Sequence, residues 1–294
     1  MRAKCLTEKG TIGICSPSHL VDFEEFQHIL SEIRKRGFGV QEADNLYKDT
    51  YGYLATPQER ADDFNQLIAD RDADLVFFGG GEGANELLPY IDYDLIRKNP
   101  KQICSYSDGT TILNAVWAMT GLETYYGQTP YLFKNITQYD EAQFMDHIVT
   151  GKAAKHSSNS AWQVQTTGKA EGILVGGYAR NFALLLNGGY FPIDLKKKYI
   201  LFIEDADNFG VGYVSAMLSH IEQHEFMQSV TGVIYGHSFE KDHHRLLERL
   251  KRLGKQYQIP VVYCDDFGHG TNHAILPIGR MAKLDTEEKE LIYI

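Results

Sequence analysis

Short apolar runs that stop at a glycine or serine turn and give way to helical spacing recur along this chain, and that alternation leaves few folds open to it. Thr11 to Pro17 is such a run, closed by Ser-Pro-Ser. Phe23 to Arg36 follows with apolar residues at Phe26, Ile29, Leu30 and Ile33, the spacing of one helical face, and Gly37 stops it. Pro57 to Asp70 repeats the helical pattern and leads into Ala73 to Phe78, a run that ends in Gly79-Gly80-Gly81. Leu87 to Arg97 reads as a helix and Gln102 to Tyr106 as a short strand. Thr110 to Thr120 reads as a helix with Ile112, Leu113, Val116 and Trp117 on its apolar face. Strands alternating with helices in this way build parallel sheets covered on both faces.

The pattern is interrupted from Lys152 to Gly168, a small and polar stretch with few residues that could anchor it to a core. Beyond it, strands are expected at Gly172 to Val175, Tyr199 to Ile203, Gly232 to Tyr235 and Pro260 to Tyr263. Helices are expected around Gly210 to Gln223 and Asp242 to Gln256. A length of 294 residues suits about two domains. The expected division is an N-terminal domain over 1–151, a linker over 152–168 and a second α/β domain over 169–294. No fixed-period repeat is present in the sequence, which sets solenoids and propellers aside.

Charge and composition narrow the partners. Lysine plus arginine number 29 against 39 aspartate plus glutamate, a net charge of −10 that opposes attraction to phosphate backbones and anionic membranes. No apolar stretch approaches the ~20 residues that span a bilayer, and Met1 to Gly10 lacks the apolar core of a signal peptide, so a cytoplasmic address is expected. Cys5, Cys15, Cys104 and Cys264 are scattered without a C-x-x-C pair, as free, mostly buried thiols would be. His237, His243 and His244 match neither H-E-x-x-H nor a zinc-finger spacing, so no metal is expected.

Two segments could carry chemistry. Cys104-Ser105-Tyr106-Ser107-Asp108-Gly109-Thr110 lies where a strand meets a helix, a sharp turn that exposes a side chain at the carboxyl edge of a sheet and aims helix N–H groups at it. Ser107 is there a candidate nucleophile; the alternative is that Ser107 or Asp108 only caps the following helix. Phe78-Gly79-Gly80-Gly81-Glu82-Gly83-Ala84 also follows a strand, and it fits G-x-G-x-x-A. A dinucleotide site would want an acidic residue about 20 positions on, where Ile103-Cys104-Ser105 stands instead, so no nucleotide cofactor is expected. A better use of these glycines is to offer N–H groups, with that of Asp108, to an oxyanion formed beside Ser107. A serine needs a base and the base a carboxylate. His269, between glycines after a strand, is the leading base candidate with His273 as rival, and Glu204 ends an apolar strand.

Taken together these residues resemble the LD-carboxypeptidase family of serine peptidases, which includes the microcin immunity peptidases. The resemblance covers nearly the whole chain. It runs through Gly10 to Ile14 with Ser16-Pro17-Ser18, Gly52 to Ala55 through Glu59-Arg60, and Gly80 to Asn85 with Leu87 to Tyr93. It continues through Asn99 to Lys101 and Tyr106 to Thr110, then Gly172 to Gly177, Phe202 to Asp205, and Gly268 to Gly270 with Leu276 to Gly279.

That resemblance implies Ser107 as nucleophile, His269 as general base, Glu204 as the carboxylate that orients it, and an oxyanion hole at Gly81 and Asp108. It implies an N-terminal parallel-sheet domain of flavodoxin or Rossmann type, a smaller C-terminal α/β domain with a barrel-like sheet, and a homodimer. The implied activity is serine-type hydrolysis of an amide bond near the C-terminus of a murein-derived peptide. The alternatives are hydrolysis of aminoacyl- or peptidyl-nucleotide toxins by the same residues, or a noncatalytic binding protein of the same fold. Departures from the family pattern bear on the substrate. Gly79 stands where the carboxypeptidases usually carry Arg, Gly109 where a bulkier residue is usual, Gln128 where Pro is typical, and Tyr178-Ala179-Arg180 where Asn-Leu is preferred. Gly80, Glu82 and Arg180 are the expected substrate-binding residues, Arg180 as a cation for a carboxylate, and Trp162 is the lone aromatic that could receive a base.

Overall fold

Strand, helix and strand succeed one another through the first half of the chain as the apolar spacing requires. A computed structural model describes every residue except 20, 207–209 and 241–242. The elements are β1 (Thr11–Ile14), α1 (Phe23–Lys35), β2 (Gly39–Glu42), α2 (Pro57–Ala69), β3 (Ala73–Phe77), α3 (Tyr93–Lys98), β4 (Gln102–Ser105), α4 (Thr110–Thr120) and β5 (Thr124–Tyr126). The strands pair in parallel in the order β2-β1-β3-β4-β5, the doubly wound arrangement of flavodoxin-like folds. Helix starts are written in the sequence. Asp22 caps α1 by accepting from Glu25 N–H, and Thr56 with Glu59 forms a capping box on α2. Phe26, Ile29, Leu30 and Ile33 of α1 are buried, as their spacing implies.

One expected helix is divided. Leu87 to Arg97 is not continuous: a 3-10 turn covers Ala84–Leu87 and α3 begins only at Tyr93. Pro89 has no N–H to continue the ladder, the N–H groups of Tyr90 and Ile91 both fold back to Leu87 O, and Asp92 caps a fresh start by accepting from Leu95 N–H.

After α5 (Gln138–Phe144) the second half contributes β6 (Gln163–Thr166), β7 (Lys169–Tyr178), α6 (Ala179–Leu185), β8 (Tyr199–Glu204), α7 (Val211–Gln223), β9 (Val230–Tyr235), α8 (His243–Tyr257) and β10 (Val261–Tyr263). Residue 242, the expected start of α8, lies outside the described residues. The chain ends with β11 (Leu276–Ile278), β12 (Met281–Asp285) and β13 (Glu290–Tyr293). The second sheet runs β13-β12-β7-β8-β9-β10-β6, parallel at its centre and antiparallel at both edges, and curls into a half-barrel.

Two strands cross the division expected from composition. β6 lies inside the segment read as a linker and pairs with β10, and the same segment holds a buried Trp162 and a buried His156. β11, late in the chain, pairs antiparallel with β5 and so completes the first sheet. The residue that follows it by two, Arg280, forms a buried ion pair with Glu123, the residue just before β5.

The two sheets are also joined through α4. Asn114 donates to Gly176 O at 2.8 Å and accepts from Gly176 N–H at 3.2 Å, while Thr110 Oγ1 accepts from Tyr178 N–H at 2.9 Å. These polar residues are buried and each has its partner, as burial demands. A single apolar cluster extends from Ile103 and Ile112 to Leu174 and Phe202, so the sheets share a core. The helix that starts beside Ser107 is therefore fixed against both sheets. Among the described residues no helix is long and apolar enough to cross a membrane.

Candidate active site

The chain turns sharply after β4. Ser107–Gly109 forms a 3-10 turn before α4, and Ser107 has a φ of 57°, left-handed backbone in a residue that is not glycine. Such a conformation costs about 1–3 kcal/mol and persists only where the surroundings impose it. Here the glycine-rich turn imposes it. A Cβ on Gly80 would sit 2.6 Å from Ser107 Cβ, so only glycine lets the two turns approach this closely. Neither Ser107 nor Asp108 caps α4. The Asp108 carboxylate instead accepts from Ala84 N–H at 2.7 Å and from the Asn181 side chain, pinning the glycine-rich turn and α6 to the Ser107 turn. Burial raises the Asp108 pKa above the usual carboxylate value, with Ala84, Ser18, Asn181 and Arg180 pulling the other way.

Glu204 and His269 arrive from the second sheet. Glu204 is the last residue of β8 and is fully buried. Its Oε2 lies 2.8 Å from His269 Nδ1 and accepts from His269 N–H at 3.3 Å. The ring's other nitrogen, Nε2, lies 2.9 Å from Ser107 Oγ. Gly268 has a φ of +104°, and a Cβ there would stand 2.7 Å from Glu204 Cγ, so this glycine lets the loop close over the carboxylate. The three residues expected to work together thus form one hydrogen-bonded line that crosses the sheet boundary. Among the described residues no acceptor of the chain engages the N–H groups of Gly81 and Asp108, whereas Gly109 N–H is taken by Tyr106 O at 3.0 Å and Glu82 N–H by Ser18 O at 2.8 Å.

His273 and His237 are engaged elsewhere. His273 N–H donates to Asp140 at 2.8 Å and its ring faces the same carboxylate, which removes it as the rival base. His237 Nδ1 lies 2.6 Å from Asp265 Oδ1; burial would lower its pKa but that partner raises it. His243 and His244 are exposed at the start of α8. Sequence reasoning missed His156, whose Nε2 bonds Asp266 Oδ2 at 2.8 Å in full burial, with Asn159 N–H donating to the same carboxylate at 2.9 Å. Burial would raise Asp266, but the His156 bond and charge hold it below the usual carboxylate range. With Cys264 these form a buried group whose ligand-type atoms lie within 4.8 Å of one another. The hydrogen bonds already made there brace the His269 loop against the segment that carries Trp162, whose ring packs 6.0 Å from His156 and offers no open platform.

Gly79 has a neighbour that spacing does not reveal. A Cβ at Gly79 would meet His19 Cε1 at 2.7 Å, so the imidazole occupies the room that a side chain at 79 would need, and burial lowers its pKa. A groove of about 470 Å³ opens on the other side of Asp108, lined in part by Glu82, Arg180, Asn181, Leu184 and Tyr190. Arg180 spans its mouth, 3.4 Å from Glu82 and 5.1 Å from the Tyr178 ring centroid. Tyr178 in turn stands 5.4 Å, edge to face, from the His269 ring. Gly80 faces Ser107 rather than this groove. An apolar depression of similar size on Phe38, Phe133 and Phe144 lacks Ser107, Glu204 and His269 in its lining.

Residues 12–127 match the family model of the LD-carboxypeptidase N-terminal domain, and residues 171–284 match that of the LD-carboxypeptidase C-terminal domain. The chain belongs to the LD-carboxypeptidase family. At the level of the family it is a carboxypeptidase-type hydrolase. It is 28% identical to the LD-carboxypeptidase relative of Bacillus subtilis called "Probable murein peptide carboxypeptidase", across 99% of this chain and 93% of the relative. It is 26% identical to the microcin C7 self-immunity protein MccF of Escherichia coli, across 96% of this chain and 92% of that one. The crystal structure of the MccF-like protein from Bacillus anthracis superimposes with a TM-score of 0.89 at 25% identity, covering 100% of this chain and 99% of that chain. The two-domain fold of this LD-carboxypeptidase family member is thus the fold of the MccF structures.

Proposed function

We propose that the chain is a serine hydrolase that cleaves an amide bond near the C-terminus of a murein-derived peptide. The observation that carries this reading is the continuous line from Ser107 Oγ through His269 to Glu204, with contacts of 2.9 and 2.8 Å. Nucleophile, base and orienting carboxylate stand within proton-transfer reach, the geometry that acyl transfer by serine needs. His269 takes the Ser107 proton as the oxygen attacks the amide carbonyl. The N–H groups of Gly81 and Asp108 stabilise the resulting oxyanion. His269 then gives that proton to the departing amine, and water, activated by the same imidazole, hydrolyses the acyl-enzyme.

Arg180 would bind a substrate carboxylate in the groove beside Asp108, with Glu82 as its resting partner; both line that groove and meet at 3.4 Å. The same residues would suit a second class of substrate, the aminoacyl- or peptidyl-nucleotide conjugates. That reading is favoured by the similarity to MccF, whose structure with aspartyl sulfamoyl adenosine superimposes at 25% identity with a TM-score of 0.86.

Incubation of the protein with a mixture of L,D-tetrapeptide muropeptides and sulfamoyl-adenosine conjugates, read by mass spectrometry, tests both readings. Loss of the terminal D-amino acid with uptake of one water is the expected result. Turnover of the conjugates alone moves the assignment to the second class. No product from either, with intact folded protein, overturns the hydrolase reading.

A further inference from the structure

Tyr126 is a buried residue that the reaction as described does not use. It ends β5 in the first sheet, yet its hydroxyl lies 2.6 Å from Glu204 Oε1, on the last residue of β8 in the second. The same oxygen accepts from Ser107 N–H at 3.2 Å. The side chain reaches across because Gly177, with a φ of +132°, leaves room: a Cβ there would stand 2.9 Å from Tyr126 Cε2. Phe202 packs 5.7 Å from the ring on the far side.

The roles in this contact are fixed by chemistry. A backbone N–H can only donate and a carboxylate oxygen accepts, so the single phenolic hydrogen points to Glu204 and a lone pair receives Ser107 N–H. Burial and the Glu204 charge hold the phenol well above its usual pKa, so it stays a donor. Both oxygens of Glu204 are then engaged: Oε2 by His269 and Oε1 by Tyr126. Ser107 N–H, spent on Tyr126, is not available to an oxyanion, which leaves that task to Asp108 and the glycine-rich turn.

We propose that Tyr126 is a positioning residue that locks the Glu204 carboxylate in the orientation His269 requires, its own oxygen being held in place by Ser107 N–H. It closes a ring of hydrogen bonds in which Ser107 N–H donates to Tyr126, Tyr126 and His269 both donate to Glu204, and His269 Nε2 meets Ser107 Oγ. The inference rests on Ser107 being the nucleophile and is independent of which amide is cleaved.

A fluorophosphonate probe tests it without a substrate. The Ser107 oxygen forms a bond to phosphorus, fluoride leaves, and the hydroxyl proton passes to His269, so the labelling rate reads the activation of Ser107 alone. Tyr126→Phe keeps the ring and removes the hydroxyl; labelling about 10- to 100-fold slower is expected, the usual cost of removing the partner that orients a site residue. The double variant Tyr126→Phe/Glu204→Gln should label no more slowly than Glu204→Gln alone, because the hydroxyl acts through that carboxylate. Labelling of Tyr126→Phe at the wild-type rate, or losses that multiply in the double variant, overturns the proposal. Wild-type protein that resists the probe overturns the nucleophile assignment instead.

A second measurement stands if Tyr126→Phe does not fold. Replacing Tyr126 by 3-fluorotyrosine makes the phenol a stronger donor at nearly unchanged size. The far-downfield proton resonance on His269 Nδ1, identified by its loss in His269→Ala, should move; a purely structural hydroxyl would leave it in place, and that result overturns the proposal.

Discussion

Ser107 and His269 meet at 2.9 Å, yet the turns that deliver them are held by different forces. Around Ser107 the constraints are steric: a left-handed φ of 57°, and a glycine at 80 that could not carry a Cβ without meeting Ser107 at 2.6 Å. Around His269 most are polar, the close approach of Gly268 to Glu204 apart. Glu204 holds the ring, His156 and Asn159 hold Asp266 in the same loop, and His273 answers Asp140. Packing contacts fail all at once when atoms are added, whereas polar braces weaken one bond at a time. Enlargement at Gly80 should therefore not be tolerated on the Ser107 side, and loss of the polar braces on the His269 side should act in steps.

The largest effect is expected from Ser107→Ala, which should lower hydrolysis by on the order of 10⁴- to 10⁶-fold with the fold retained, checked by product formation beside circular dichroism. Glu204→Gln keeps the shape and removes the charge that orients His269, and a fall in kcat of about 10⁴-fold is expected in steady-state kinetics. Gly80→Ala sharpens the steric half of the comparison. Displacing Ser107 by a fraction of an ångström to relieve a 2.6 Å contact should cost on the order of 10²-fold in kcat, and near-normal turnover would show that packing does not set the position of Ser107.

Much of the first sheet was legible before any coordinates, because α1 and α4 each place apolar residues on one helical face and the β3 and β4 runs end at glycine and serine turns. Ser107, His269 and Glu204 carried local signals of the same kind, a strand end or a flanking glycine. What escaped detection has partners far away in sequence. β6 and β11 are short edge strands whose pairing depends on β10 and β5, and the contacts of Tyr126 and His156 span 78 and 110 residues. No periodicity announces such a contact. The Leu87 to Arg97 helix failed for a local reason: Pro89 and the Asp92 cap outweighed the apolar spacing.

A smaller effect breaks the polar half. His156→Ala leaves the buried Asp266 carboxylate without one of its hydrogen-bond partners, and a loss of about 1–3 kcal/mol in urea unfolding is expected, with kcat reduced through the loosened loop. Because Asp266 titrates below the usual carboxylate value in the folded protein, the stability it contributes is complete above the unfolded value of about 3.9 and is lost as pH falls through the lower folded one. The wild type should therefore lose more stability than His156→Ala across that acid window. Smallest of all, Arg180→Ala removes an ion pair whose Glu82 side is 81% exposed. Its effect on stability should stay within about 1 kcal/mol, while KM rises and kcat holds if the guanidinium meets the substrate.

The placement of β11 has a bearing on how the chain comes into being. Residues 276–278 furnish the outer border of the sheet that bears Ser107, and the buried Arg280 salt bridge to Glu123 follows immediately. A ribosome building this chain has exposed the serine long before it supplies those residues. The first lobe must wait, unfinished, until residues 276–278 have been read, so a product cut short before them is expected to be inert rather than a half-active fragment.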